Sequence, residues 1–151
     1  MSISVDLQVA CEQDTPSIEA FEQWVESALS ANQLDAGEVT VRLVNPEESQ
    51  QLNFQFRGKD AATNVLSFPF ECPPEIEMDY LGDLVICPAV VEQEAIQQEK
   101  DLNHHYAHMT IHGVLHLLGF DHIDPEQAEE MESLETRLLA KLGIDDPYQD
   151  H

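Results

Sequence analysis

The stretch His112-Gly113-Val114-Leu115-His116-Leu117-Leu118-Gly119-Phe120-Asp121-His122 carries the most information in this chain. Its first half lies at the end of a helical pattern, and residues four apart on a helix share one face. His112 and His116 therefore present their imidazoles side by side, close enough to share one ion. Gly119 suits the C′ position that ends a helix, and His122, three residues on, offers a third nitrogen as the chain turns back. Three neutral imidazoles leave one position of a tetrahedral ion open, the arrangement of a catalytic rather than a structural zinc. An open position admits water or a substrate oxygen, which the ion acidifies or polarises.

His104 and His108 extend the same four-residue step, so spacing alone leaves open another pair, or a solvated or hydrogen-bonded helix face. The Gly119 break with His122 behind it selects the 112/116 pair. His104 and His105, near the helix start, read as surface residues. His108 reads as core, as support for a ligand, or as neither. Asp121 is placed either to hold a ligand histidine or to cap the turn.

Working outward, Ile3, Val5, Leu7 and Val9 alternate as a strand with one buried face. Thr15 as cap and Pro16 in the first turn open a helix over 16–31, with Phe21, Trp24, Val25, Ala28 and Leu29 at helical spacing. Val39, Val41 and Leu43 form a second strand. Asn45-Pro46-Glu47-Glu48 has the pattern of a cap, a first-turn proline and a capping-box Glu, opening a short helix to about residue 56. Arg57-Gly58-Lys59-Asp60 is a turn, 65–68 a third strand and 84–87 a fourth, with an acidic, proline-bearing mobile loop over 71–79 between them. Helices follow over 88–100, over 102–118, and from the Asp124 cap to Gly143, the last with a stripe of Ala128, Met131, Leu134, Leu138 and Leu142. The order β-α-β-α-β-β-α-α-α predicts an α+β fold: one domain over 1–151, a mixed four-stranded sheet packed with about five helices, and the three-His site on a central helix and the following turn.

The length of 151 residues fits one domain, and 42% hydrophobic residues suffice for its core. Lys+Arg 6 against Asp+Glu 30 gives a net charge of −24. Such a surface repels DNA, RNA and anionic lipid, so any RNA contact must come from a local site. Cys11, Cys72 and Cys87 are odd in number and widely spaced, which points away from a disulfide framework and toward a reducing compartment. With no basic-plus-apolar leader at the start and no stretch near the ~20 apolar residues of a membrane helix, the expectation is a soluble, cytoplasmic protein.

HGVLHLLGFDH resembles the signature H-G-x-L-H-L-x-G-x-D-H of the YbeY family of endoribonucleases and ribosomal RNA maturation factors. Arg57-Gly58-Lys59-Asp60 with Thr63-Asn64-Val65-Leu66-Ser67-Phe68-Pro69 resembles the family's RGKDxPTNVLSFP, with Ala62 where proline is usual. Leu81-Gly82-Asp83 is a third match at a strand start. The resemblance spans about residues 53–122. It implies a metal-dependent hydrolase acting on single-stranded RNA, in maturation of the 3′ end of small-subunit ribosomal RNA and in ribosome quality control. It makes His112, His116 and His122 the metal ligands and Arg57 the basic residue of the active cleft. It implies one zinc ion, although three imidazoles also suit nickel or copper among divalent metals. The partners expected are ribosomal RNA, the small ribosomal subunit and its basic proteins, with neither DNA nor membrane.

Read from the residues alone, Arg57 with Lys59 is the most closely spaced pair of cations on an acidic chain. A guanidinium there could hold a phosphate through two parallel hydrogen bonds, or simply pair with Asp60 or another acid. Thr63, Asn64 and Ser67 could meet RNA or close the turn into the strand. Two rival functions stand beside the ribonuclease. One is a metalloprotease, since H-x3-H-x2-G-x2-H matches the metzincin HExxHxxGxxH; here the base Glu is replaced by Gly113, which accepts no proton. The other is a non-catalytic assembly factor stabilised by its metal.

Overall fold

Alternating apolar residues and capped amphipathic stretches form the elements in the expected order. The computed structural model describes residues 2–12, 14–34, 36–70, 80–120 and 125–144. Strand β1 (Ser2–Ala10) precedes helix α1 (Ile18–Ala31), β2 (Ala36–Val44) and α2 (Pro46–Arg57). Strands β3 (Val65–Pro69) and β4 (Tyr80–Ile86) then lead to three helices, α3 (Pro88–Gln97), α4 (Leu102–Leu117) and α5 (Pro125–Lys141). The strands form one mixed sheet in the order β1-β2-β4-β3. β1, β2 and β4 run parallel, and β3 lies antiparallel to β4 at the edge.

Several boundaries differ from the sequence reading. Helix α1 begins at Ile18, because Ser17 rather than Thr15 supplies the cap, its hydroxyl accepting from the Ala20 N–H. Asn45 stands at the cap of α2 without a capping side-chain bond. The expected capping-box Glu48 is taken by Arg42, whose Nε and Nη2 lie 2.7 and 3.0 Å from its carboxylate. α3 stops short of Lys100 because Glu99 adopts a left-handed φ of 54°. β4 starts at Tyr80 rather than Leu84. Gly82 and Asp83 disfavour a strand, but ladder pairing to β2 and β3 on both sides overrides that preference. Gly82 is needed there: its φ is +143°, and a Cβ would lie 2.3 Å from the Phe68 carbonyl oxygen. The Glu71–Asp79 loop and the Asp124 cap fall outside the described residues.

One sheet face, with Val39, Val41, Leu43, Leu84 and Ile86, packs on Phe21, Trp24 and Leu29 of α1, on Ile111 and Leu115 of α4, and on Met131, Leu138 and Leu139 of α5. α4 is central: it packs against α1, α3, α5, β3 and β4, and eleven of its residues are buried. Its helical signal is accordingly apolar all round rather than one-sided. No helix among the described residues is long and apolar enough to cross a membrane.

Candidate active site

The end of α4 is fixed by its own sequence. Gly119 takes φ +102°, its N–H bonds the His116 carbonyl at 3.0 Å, and the Phe120 N–H bonds the Leu115 carbonyl at 3.0 Å. This is the paired closure of a Schellman turn, which Gly admits without a Cβ penalty. The turn carries the Phe120 carbonyl oxygen back to 2.9 Å from His116 Nδ1. A carbonyl only accepts, so His116 Nδ1 carries the hydrogen and Nε2 presents its lone pair.

His112 is oriented the same way by another element. Its Nδ1 lies 2.6 Å from Oε1 of Glu135 on α5, while Oε2 of that carboxylate lies 3.0 Å from His108 Nε2. Glu135 is 0% exposed. Burial pushes its carboxyl up, and the hydrogen bonds from His108 and then His112 more than offset this, leaving its pKa at about 2. An ionised carboxylate accepts only, so His112 also presents Nε2 as a lone pair. Burial in turn lowers the pKa of His108, partly opposed by Glu135.

The Nε2 atoms of His112 and His116 lie 3.1 Å apart. Two lone pairs at that distance repel unless a proton or a cation sits between them. Two nitrogens on one tetrahedral zinc, each about 2.0–2.1 Å from it, lie about 3.3–3.4 Å apart, so the pair fits a shared ion. His108, His112 and Glu135 form an overlapping donor group, with atoms all within 4.8 Å of one another, that could also hold a metal. His122 and Asp121 lie outside the described residues.

The sequence reading missed Glu135. The signal was a carboxylate one turn after Met131 and one before Leu138, in the buried stripe of α5. It also misplaced His105, which is 3% exposed rather than on the surface. His105 sits inside because Glu94 of α3 reaches it, with Oε1 3.0 Å from its Nε2. His104 is exposed, as expected.

A cleft of about 710 Å³ joins the two distant motifs, lined by Arg57 and by Thr63 to Pro69 as well as by His112 and His116. None of its described lining residues is acidic, on a chain with thirty carboxylates. Arg57 is exposed at the last turn of α2 and makes no ion pair among the described residues. Asp60, the acid that the alternative reading would pair with it, accepts from Gln50 at 2.7 Å.

Thr63, Asn64 and Ser67 are tied into the scaffold. Ser49 Oγ accepts from the Thr63 N–H at 2.9 Å and donates to its carbonyl at 3.1 Å. The Asn64 amide donates to Glu94 at 3.0 Å and accepts from the Val65 N–H at 2.7 Å. Ser67 Oγ donates to the Gly113 carbonyl at 3.1 Å. These bonds clamp β3 and the two residues before it to α2, α3 and α4 and so form the cleft wall. Gly113 closes the seam: a Cβ there would lie 2.8 Å from Leu84 Cδ2 and 3.3 Å from Ser67 Oγ. The position that holds the metzincin Glu is thus packed shut.

Residues 8–143 match the sequence profile of the endoribonuclease YbeY family. The chain belongs to the YbeY family. The solution structure of TM1509 from Thermotoga maritima is similar along nearly its whole length, with a TM-score of 0.59 and 26% identity over 98% of this chain and 99% of that one. YbeY proteins are metal-dependent endoribonucleases of ribosomal RNA processing, so the chemistry to account for is hydrolysis of RNA. A cleft with no acidic residue among its described lining, and with an exposed arginine beside two preoriented imidazoles, suits a phosphodiester, and the nitrogen pair of His112 and His116 is chemically suited to a divalent metal.

Proposed function

We propose that residues 1–151 act as one hydrolase domain, a single-strand-specific endoribonuclease. Its role is maturation of the 3′ end of small-subunit ribosomal RNA and ribosome quality control. One zinc ion, or another divalent metal such as nickel, is held by His112, His116 and His122. The observation that carries this reading is the convergence of Arg57, His112 and His116 on one cleft without described carboxylates. When bound, the ion supplies Lewis-acid chemistry to a phosphate oxygen or to water. Arg57 binds the phosphate and neutralises charge that develops on it, at an exposed helix end where its guanidinium meets no described acid. Glu135 and the Phe120 carbonyl hold the two imidazoles in the tautomer that a ligand needs. The protein works in the cytoplasm, and its acidic exterior suits the basic proteins of the small subunit, which present the RNA.

The test is cleavage of a single-stranded RNA by wild type and by His112→Ala purified in parallel, with metal content measured in both. Metal-dependent cleavage by wild type alone supports the reading. Equal metal-dependent cleavage by both, at the same rate after a further purification step, refutes the assignment of His112. No cleavage of free RNA or of small subunits by either supports the non-catalytic assembly factor instead.

A further inference from the structure

Phe54 and Phe56 lie two residues apart on α2 and are equally exposed, at 59% and 58%. Helical spacing turns them to different sides. Phe54 faces a separate hollow with Glu47, Gln50 and Asp60, whereas Phe56 lines the cleft beside Arg57. Phe56 is also held in place: its ring meets Phe68 of β3 edge-to-face, centroids 5.0 Å apart at 69°. Phe68 is itself part of the cleft lining. The cleft therefore offers an exposed, braced aromatic face next to its guanidinium.

We propose that Phe56, backed by Phe68, is a base-stacking residue that receives an unpaired base of the nucleotide next to the phosphate held at Arg57. This inference rests on the endoribonuclease reading and supplies its strand specificity. A base in a duplex is stacked on both faces and cannot turn onto a side chain, whereas a single-stranded base can. Stacking also needs no positive charge, which resolves a difficulty of this chain. A surface of net charge −24 supplies few ion pairs for RNA, and aromatic stacking supplies affinity without them. The guanidinium and the ring then read complementary parts of one nucleotide, phosphate and base.

The experiment measures binding of a short labelled single-stranded RNA by anisotropy with four proteins: wild type, Phe56→Leu, Phe54→Leu and Arg57→Ala. A second probe is the same RNA with one base removed at successive positions. Phe56→Leu is expected to weaken binding by a factor on the order of 10 to 100. The loss should vanish on the probe lacking the stacked base, and Phe54→Leu should bind like wild type. A Phe56→Trp variant gives a direct signal, since the natural Trp24 is buried and the new indole should be quenched by RNA but not by duplex. If Arg57→Ala weakens binding and Phe56→Leu does not, the stacking role falls and the ribonuclease reading stands. If wild type binds no RNA, or all four proteins bind it alike, both fall together.

Discussion

His112 on α4 and Glu135 on α5 are joined by a 2.6 Å hydrogen bond across 23 residues of sequence. The bond places a fully buried carboxylate behind an imidazole whose other nitrogen faces His116 at 3.1 Å. An ionised carboxylate makes its histidine a stronger ligand and fixes ring orientation. The last helix thus belongs to the site through its packing on α4, although it carries no residue of the cleft lining.

Glu135→Gln keeps the shape of that contact and removes its charge. Metal affinity is expected to fall about 10–100-fold, with cleavage falling in parallel. Titration with zinc in a competing chelator reads the affinity, and circular dichroism checks that the fold is retained. Unchanged affinity would refute the supporting role.

A metal shared by His112 and His116 stabilises only the folded chain. Zinc at about 100 times its dissociation constant should stabilise wild type by about 2.7 kcal/mol. His116→Ala should show a far smaller gain in the same thermal melts. An equal gain in both would move the binding site elsewhere, with the His108, His112 and Glu135 group as the first alternative.

Gly113→Glu restores the residue that metzincins place after their first histidine. The new Cβ would lie 2.8 Å from Leu84 Cδ2, in a seam where Leu84 is fully buried. Overpacking of this kind costs about 1–3 kcal/mol, visible as a lower denaturant midpoint at unchanged slope. No casein hydrolysis should appear. A stable variant with proteolytic activity would revive the protease.

Glu94 makes the fold acid-sensitive away from His112 and His116. The hydrogen bond from His105, and less strongly that from Asn64, holds its carboxyl below the ordinary 4.5, against the opposing effect of burial. A carboxyl depressed by folding contributes stability that is present above its unfolded value and lost as pH falls through its folded value. Wild type should therefore exceed Glu94→Gln in stability at pH 6, and the gap should close as pH falls below about 4.5. A gap that stays constant with pH would show that the carboxylate charge is irrelevant.

RNA affinity should depend weakly on salt. Arg57 and Lys59 are the one close pair of cations in the sequence near the cleft. With about one or two phosphates neutralised, the slope of log K against log salt should be about −1 for a single strand. A steep slope, on the order of −4 or beyond, would require cations that the described cleft does not supply.

Local events follow from short stretches of sequence. Four-residue spacing put His112 and His116 on one face, and Gly119 forced the turn that follows. Period-two alternation in β1 and β2 and helical stripes in α1 and α5 set the element order. These follow from backbone geometry over a few residues, so neighbours in sequence suffice to read them. The ends of elements were less legible. Thr15 and Ser17 are both capping residues, and Glu48 could serve either its own helix or Arg42.

Which distant side chains meet is set by how the elements pack. The sequence carries many Glu residues on helices, and nothing local marks Glu135 as the one under His112 or Glu94 as the one that draws His105 inside. The same holds for Gly113, whose missing side chain is explained only by Leu84 and Ser67 against it. Arg57 and His112 reach one cleft only because β3 docks along α4, through bonds such as that of Ser67 to Gly113. Contacts of this range depend on how the whole core closes, since buried charges and close approaches are tolerated only where packing supplies a partner or leaves room.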